Sequence, residues 1–394
     1  MALTGREGHR PLGPPAPLVG RLRELGALLS KLTGDATPEP LELLAERAAI
    51  MGLSRHGSTS CGATTRLIRT GDGWLAVSLA REDDENAVAA WLELDEPPPV
   101  PWEAIADAAI RRSTDWLESR AILLGLPAAA LPCGQRRPPQ GAGPFRALPV
   151  HAEGAGETER RRTTAPMVVD LSSLWAGPLC GHLLHLGGAH VVKVESRARP
   201  DGAREGPEAF FDLLNHGKRS VALDFERPDG MAALRRLVKA ADVVIEASRP
   251  RALDQLGLTA ENVVRAADGP SVWISITGHG RAEGDRDRVA FGDDAAVAGG
   301  LVVWDGEGPC FCADAVADPL TGVVAATAAL LALETGKRWL VDVPMAGVAA
   351  AFAGPTLDAA MADGPVAAPR ARHPAGKASP LGQDTRAVLS ALDS

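Results

Sequence analysis

A carboxylate with two possible roles stands in "FCADAVADPLTGVVAATAALLAL", residues 311–333, where Asp318 and Pro319 precede a long Ala/Leu run. Asp as N-cap and Pro at the first helical position are ordinary helix-start residues. The same position has a chemical consequence, because backbone N–H groups and the helix dipole favour the anion. Such a carboxylate can attack an activated acyl group that is delivered to it. Cations are available for an anionic ligand: Lys218 and Arg219 in "NHGKRSVALDF", Arg249 and Arg251 in "EASRPRALDQLGL", and Arg197 and Arg199 in "ESRARPDG". Singly each reads as a solvated surface charge. Gathered in loops beside apolar runs, they suit a ligand with several phosphates, since Arg grips phosphate bidentately and Lys acts as a point charge.

Other polar residues carry weaker signals. His279 in "SITGHGRAEG" follows an apolar run in a Gly-rich loop, where turn polarity also explains it. His182 and His185 lie three apart on one helix face and read as partly buried, hydrogen-bonded histidines. Glu195 falls about 20 residues past the turn "SSLWAGPLCG", where a dinucleotide-binding acid would sit, but the glycine fingerprint is missing and a solvent-facing strand-end Glu explains it equally. No Ser lies in a G-x-S-x-G elbow. Cys310 and Cys312 form a C-x-C without further ligands, so they read as buried small hydrophobes and no metal is assigned.

The elements that must position these groups divide the chain. Residues 134–166 concentrate Pro, Gly and charge without periodicity and read as a linker. Before it, residues 1–133 pair helical stretches with "TTRLIRTGDGWLAVSLA", two alternating runs around a hairpin turn, which predicts a small α+β domain. After it, "MVVDL", "HVVKVE", "SVALDF", "DVVIEA" and "SVWISI" alternate with helical segments such as "GPLCGHLLHLGG" and "DGMAALRRLVKAA". That rhythm predicts an α/β fold over residues 167–355, a Rossmann-like open parallel sheet whose ligands collect at the strands' carboxyl ends. Residues 356–394 form a Pro-rich C-terminal arm with a short helical pattern, "DTRAVLSAL", that packs on another surface.

The whole chain sets limits. It has 394 residues, 45% of them hydrophobic and 23% charged, the composition of an ordinary soluble protein with room for two domains. A formal charge of −9 argues against non-specific nucleic-acid binding, which needs a broad basic surface. The opening "MALTGREGHRPLGPP" lacks the apolar core of a secretory signal, no run offers about 20 uninterrupted apolar residues for a membrane span, and five Cys lack framework spacing. A cytoplasmic protein without a membrane partner is expected.

Four ordered segments resemble the class III coenzyme A transferases, the family of formyl-CoA and carnitine CoA transferases and α-methylacyl-CoA racemases. They are "VVDLSSLWAGPLCGHLLHLGGAHVVKVE", "NHGKRSVALDFERPDG", "ADVVIEASRPRALDQLGL" and "ADPLTG", within residues 167 to about 345. The resemblance implies that Asp318 is a nucleophile that forms an aspartyl-CoA thioester, and that Leu174, Trp175, Lys218 and Arg249 contact CoA, with Arg197 nearby. It implies acyl-CoA and carboxylic acid substrates, no tightly bound cofactor beyond CoA as substrate, and a homodimer. Three features differ from the family: the small-domain-like segment comes first, the glycine-rich active-site loop has no clear counterpart, and the racemases' His is missing from "AFGDDAAVAGG". A racemase-like enzyme, with His279 as its acid/base, and a CoA-binding protein without turnover remain the alternatives.

Overall fold

In the computed structural model, residues 2–132, 143–151, 165–353 and 366–393 are described. Val and Ile runs form the strands because β-branched side chains fit a pleated surface buried on both sides. β1 (Thr65–Arg69), β2 (Trp74–Ser78) and β3 (Ala128–Ala130) make a small antiparallel sheet. The main sheet contains β4 (Arg146–Pro149), β5 (Met167–Asp170), β6 (His190–Ser196), β7 (Arg219–Leu223), β8 (Val243–Glu246) and β9 (Val272–Thr277). A hairpin of β10 (Val302–Asp305) and β11 (Gly308–Phe311) intervenes before its last strand, β12 (Trp339–Pro344).

The seven-stranded order is β4-β12-β9-β8-β5-β6-β7, parallel except for β4 at one edge. Numbered from β5, the six parallel strands run 3-2-1-4-5-6, the doubly wound order, so the chain reverses direction between β5 and β8. Side chains alternate strictly between the two faces. Val168, Val191, Val243, Ile274 and Val341 join one core; Val169, Val192, Val244, Trp273 and Leu340 join the other.

The helix Ala317–Glu334 lies in the first core. By length and composition it is apolar enough to cross a membrane, yet 72% of it is buried inside the protein, as a central core helix requires. Four residues separate its end from β12, which runs parallel to β9. A helix feeding a parallel strand runs back along the sheet, so its N-terminus, with Asp318, lies at the carboxyl edge. Gly322 lets it approach the helix Ala176–Leu186, since a Cβ there would stand 2.9 Å from the Ala176 carbonyl and from Leu179.

The expected domain boundaries shift. Leu3, Leu12, Leu18, Leu22, Leu29, Leu43 and Leu44 pack in the same core as Val168 and Leu320, so the first 61 residues belong with the main sheet. The separate α+β core starts at the hairpin and holds Leu75, Trp91, Ile105, Leu117 and Ala128. The linker expected over 134–166 also needs correction, because Arg146–Pro149 is the antiparallel edge strand; residues 133–142 and 152–164 lie outside the described residues. Of the expected arm, residues 366–393 lie across the main domain, and 356–365 lie outside the described residues. Asp384 accepts the Ser220 N–H at 2.8 Å, and the expected helix is Thr385–Ala391, with Val388 in the second core.

Candidate active site

Asp318 is the second residue of its helix, not the cap; Val316 precedes the first turn. It is half-buried, whereas Asp293, Asp294 and Asp314 around it are buried. The Gly292 N–H bonds its carboxyl group. Only glycine allows this approach, because a Cβ at position 292 would lie 2.3 Å from Asp318 Oδ2 and 2.4 Å from the Ala315 carbonyl oxygen. The helix start favours the anion, but burial opposes it more strongly, and with the nearby Asp294 and Asp314 it raises the Asp318 pKa to about 7 despite Arg47. The sequence-based expectation of a well-stabilised anion is thereby corrected.

The neighbouring carboxylates share this strain. Asp293 is pushed up to about 7 by burial and then by Asp314, although its Oδ1 accepts the Ala315 N–H at 3.0 Å. Burial also lifts Asp294 to about 7; its Oδ1 accepts from Ser78 Oγ at 2.8 Å and the Phe291 N–H at 3.0 Å, and its Oδ2 has no partner among the described residues. Asp314 is neutralised by Arg47, whose Nε and Nη2 donate at 2.9 and 2.6 Å in a two-pronged pair. Ala313 and Ala315, flanking Asp314, have left-handed backbones with φ of 59° and 42°. Strain of this kind persists only where surrounding contacts hold it. Neither Arg47 nor Ser78 carried a sequence signal, because both come from the N-terminal half and only the tertiary fold brings them to the "DPLTG" segment.

The residues expected at a CoA site occupy different environments. Leu174 and Trp175 form the turn after β5, beside the sheet's reversal point. Leu174 has a φ of 69° and is exposed, and its N–H bonds Asp201 Oδ1 at 2.9 Å. Trp175 is buried with its ring against Phe210 and its indole N–H without a partner among the described residues, and the Arg47 guanidinium lies 5.5 Å from its centroid. Arg249, exposed, ends the loop after β8 on the other side of the reversal. Arg197, exposed at the end of β6, donates to the Ala222 carbonyl and lines a groove of about 540 Å³ with Arg227 and Arg236.

Lys218 is placed differently. Its ammonium is enclosed and donates to Asp170 Oδ2 at 2.9 Å, the Pro178 carbonyl at 2.8 Å and Asn215 Oδ1 at 3.0 Å. In this position it braces the turn after β5 and does not face solvent. Glu195, read as facing solvent, is instead buried and paired with Arg204 at 2.6 Å. His279 follows β9, half-buried, with Nε2 unpartnered among the described residues; burial and then Arg288 push it down to about 3, so it is neutral near pH 7. Its loop touches the acidic segment, since a Cβ at Gly278 would meet Ala290 at 2.7 Å. His182 is buried against Arg372 and pushed to about 2 by burial and that guanidinium, and Cys310 and Cys312 are buried.

Fold and site together define a doubly wound α/β protein with a half-buried carboxylate at the carboxyl edge, the edge where ligands of such sheets collect. The model of CoA-transferase family III matches residues 166–383, more than half of the chain, and the protein belongs to this family. It is 33% identical over 181 residues to the succinyl-CoA–D-citramalate CoA-transferase of Chloroflexus aurantiacus, covering 43% of this chain and 45% of that protein. It is 33% identical over 187 residues to the succinate–glutarate CoA-transferase of Agrobacterium fabrum, covering 43% and 46%. With the formyl-CoA:oxalate CoA-transferase of Afipia carboxidovorans the identity is 36% over 121 residues, 29% of this chain and 28% of that one. Among solved structures, a CAIB/BAIF family protein from Brucella suis matches at 32% identity and a TM-score of 0.43, covering 48% of this chain and 55% of that chain. The chain thus spans less than half the length of these curated relatives.

Proposed function

We propose that the protein is an acyl-CoA:carboxylate CoA transferase with Asp318 as nucleophile. The observation that carries this reading is selective exposure: of four clustered carboxylates at the carboxyl edge, Asp318 is half-buried while the other three are enclosed. An ionised Asp318 oxygen bonds the thioester carbon of an acyl-CoA, the C–S bond breaks, and CoA leaves as thiolate from a mixed anhydride. The thiolate then attacks the aspartyl carbonyl and expels the first acid as a carboxylate, leaving an aspartyl-CoA thioester. An incoming carboxylate reverses the two steps and departs as the new acyl-CoA. No net proton is required, and a carboxylate nucleophile resembles the acids it exchanges, so the intermediates lie close in energy to the substrates. The Gly292 N–H, already directed at the carboxyl group, supports the developing oxyanion.

CoA is placed across the reversal of strand order, with Leu174 and Trp175 on one side, Arg249 on the other and Arg197 toward the outer strands. Lys218 serves this site through the turn that it braces. The reading includes a homodimer in the cytoplasm, in keeping with the buried, free Cys61, Cys180, Cys310 and Cys312.

The relatives that act on succinyl-CoA and formyl-CoA suggest the first donors to try. Incubation with succinyl-CoA alone is expected to leave a hydroxylamine-sensitive adduct on the peptide containing Asp318. Its rate should rise with pH through a midpoint near 7, because only the anion attacks. Asp318→Asn should reduce acyl exchange by at least about a thousandfold. An adduct on another residue, or undiminished exchange in the variant, refutes the assignment; solvent deuterium entering the α-carbon of a 2-methylacyl-CoA without acceptor supports the racemase reading instead.

A further inference from the structure

We infer that Arg47, which lies outside the 166–383 family match, is a positioning residue for Asp318: by gripping Asp314 it fixes the strained loop from which the reactive carboxylate's helix begins. The inference rests on the transferase reading of Asp318. Three observations support it.

The loop needs external restraint. Ala313 and Ala315 hold left-handed conformations that a residue with a Cβ rarely adopts. From the N-terminal segment Thr4 Oγ1 accepts the Ala313 N–H at 3.0 Å and Arg47 holds Asp314 with two donors, while Asp293 Oδ1 accepts the Ala315 N–H at 3.0 Å from the other side. The restraint passes directly to the reactive residue, because the Asp318 N–H donates to the Ala315 carbonyl at 2.9 Å.

Arg47 also joins the two parts of the site. Its guanidinium lies 5.5 Å from the Trp175 ring centroid, at the end of the turn assigned to CoA, while pairing with the loop that leads to the nucleophile. A guanidinium can do both because its plane stacks on an aromatic ring while its edge presents parallel N–H donors. Finally, among the described residues the charged groups that act most on Asp318 are Arg47 from the Glu46–Met51 helix, Asp294 from the Gly292–Ala298 helix and Asp314 from the loop, and Arg47 acts on Asp293 as well. Within this set Arg47 is the cation, so its removal leaves the carboxylates to repel one another.

The test separates positioning from general stability. For the wild type, Arg47→Lys, Arg47→Gln and Asp314→Asn, two quantities are measured against pH: adduct formation with succinyl-CoA, and carbodiimide labelling of Asp318 read by peptide mass spectrometry. In the adduct step the Asp318 oxygen bonds the succinyl carbon and CoA leaves as thiolate. Arg47→Gln is expected to slow adduct formation at pH 7 by about tenfold or more and to raise both midpoints by about one pH unit. The succinyl-CoA concentration for half-maximal rate should change less than about threefold. Arg47→Lys should recover the midpoint but only part of the rate, since a point charge cannot restore the two-pronged grip. Asp314→Asn should lower the midpoint yet slow the adduct, because it removes a negative charge and the grip together.

A folded Arg47→Gln with unchanged rate and midpoints overturns the inference. If that variant does not fold, an undiminished adduct rate in Asp314→Asn overturns it. If the wild type forms no adduct while the labelling midpoint still moves in Arg47→Gln, the transferase reading fails and the coupling of Arg47 to Asp318 stands.

Discussion

At Asp293, Asp294 and Asp318 the protein keeps three carboxyl groups that burial drives to pKa values about 7. This cost should show as a pH dependence of stability. Between the unfolded carboxyl pKa near 4 and the folded value near 7, the native state binds more protons than the unfolded one, so stability falls as pH rises through that window. It is complete below about pH 4 and fully lost above about pH 7. Asp293→Asn preserves the carbonyl oxygen that accepts the Ala315 N–H and removes the charge. The variant should melt about 3 °C higher than wild type at pH 8 and within about 1 °C of it at pH 5. Scanning calorimetry at the two pH values decides this; a stabilisation as large at pH 5 as at pH 8 means that charge is not the cause. Asp318 could be singled out in the sequence because its segment resembles a family motif. Its ionisation could not, since burial and the approach of Asp294 and Asp314 are tertiary facts. "AFGDDAAVAGG" showed two adjacent carboxylates, but nothing in the string indicated that both would be enclosed.

The elements were legible wherever one local rule decided them. Short runs of Val and Ile became β5 to β9, and "TGDG" turned the β1–β2 hairpin. Arg146–Pro149 escaped notice because its side chains are all exposed, leaving no alternation to read; it pairs with β12 in an antiparallel ladder. The Ala317–Glu334 helix shows the reverse case, apolar on every side, so composition revealed a buried helix without showing what packs against it. Gly322 identifies that neighbour, since its missing Cβ brings the helix against Ala176–Leu186. Gly322→Val should therefore push apart the two helices whose N-terminal ends carry Trp175 and Asp318. We expect a loss of about 2–3 kcal/mol from overpacking, a melting temperature lower by several degrees, and a slower adduct reaction under conditions where the variant is still folded. A variant that melts like the wild type would show that the close contact does not hold these two ends together.

Across the whole molecule, chain order is a poor guide to which parts fold together. The composition break at 134–166 suggested two halves, yet the first helices bury Leu18, Leu22 and Leu29 in the core that also holds Leu320 and Val323. A linker-like composition records only that a stretch is polar and unpatterned; it cannot say which core the preceding helices enter, because an apolar helix face fits any complementary surface. The consequence concerns the family-matched segment itself. With residues 2–61 removed, the Ala317–Glu334 helix loses the Ala16–Thr33 helix that packs against it, and Asp314 loses Arg47. A chain starting at residue 62 should therefore lack the cooperative melting transition of the full protein and bind a hydrophobic dye such as ANS, with far-ultraviolet circular dichroism showing retained secondary structure. If this chain instead melts cooperatively within about 5 °C of the full protein, the N-terminal helices are dispensable to the main core. The site would then have to be built without them, since Arg47 reaches Asp314 only because these helices are anchored against the sheet's covering layer.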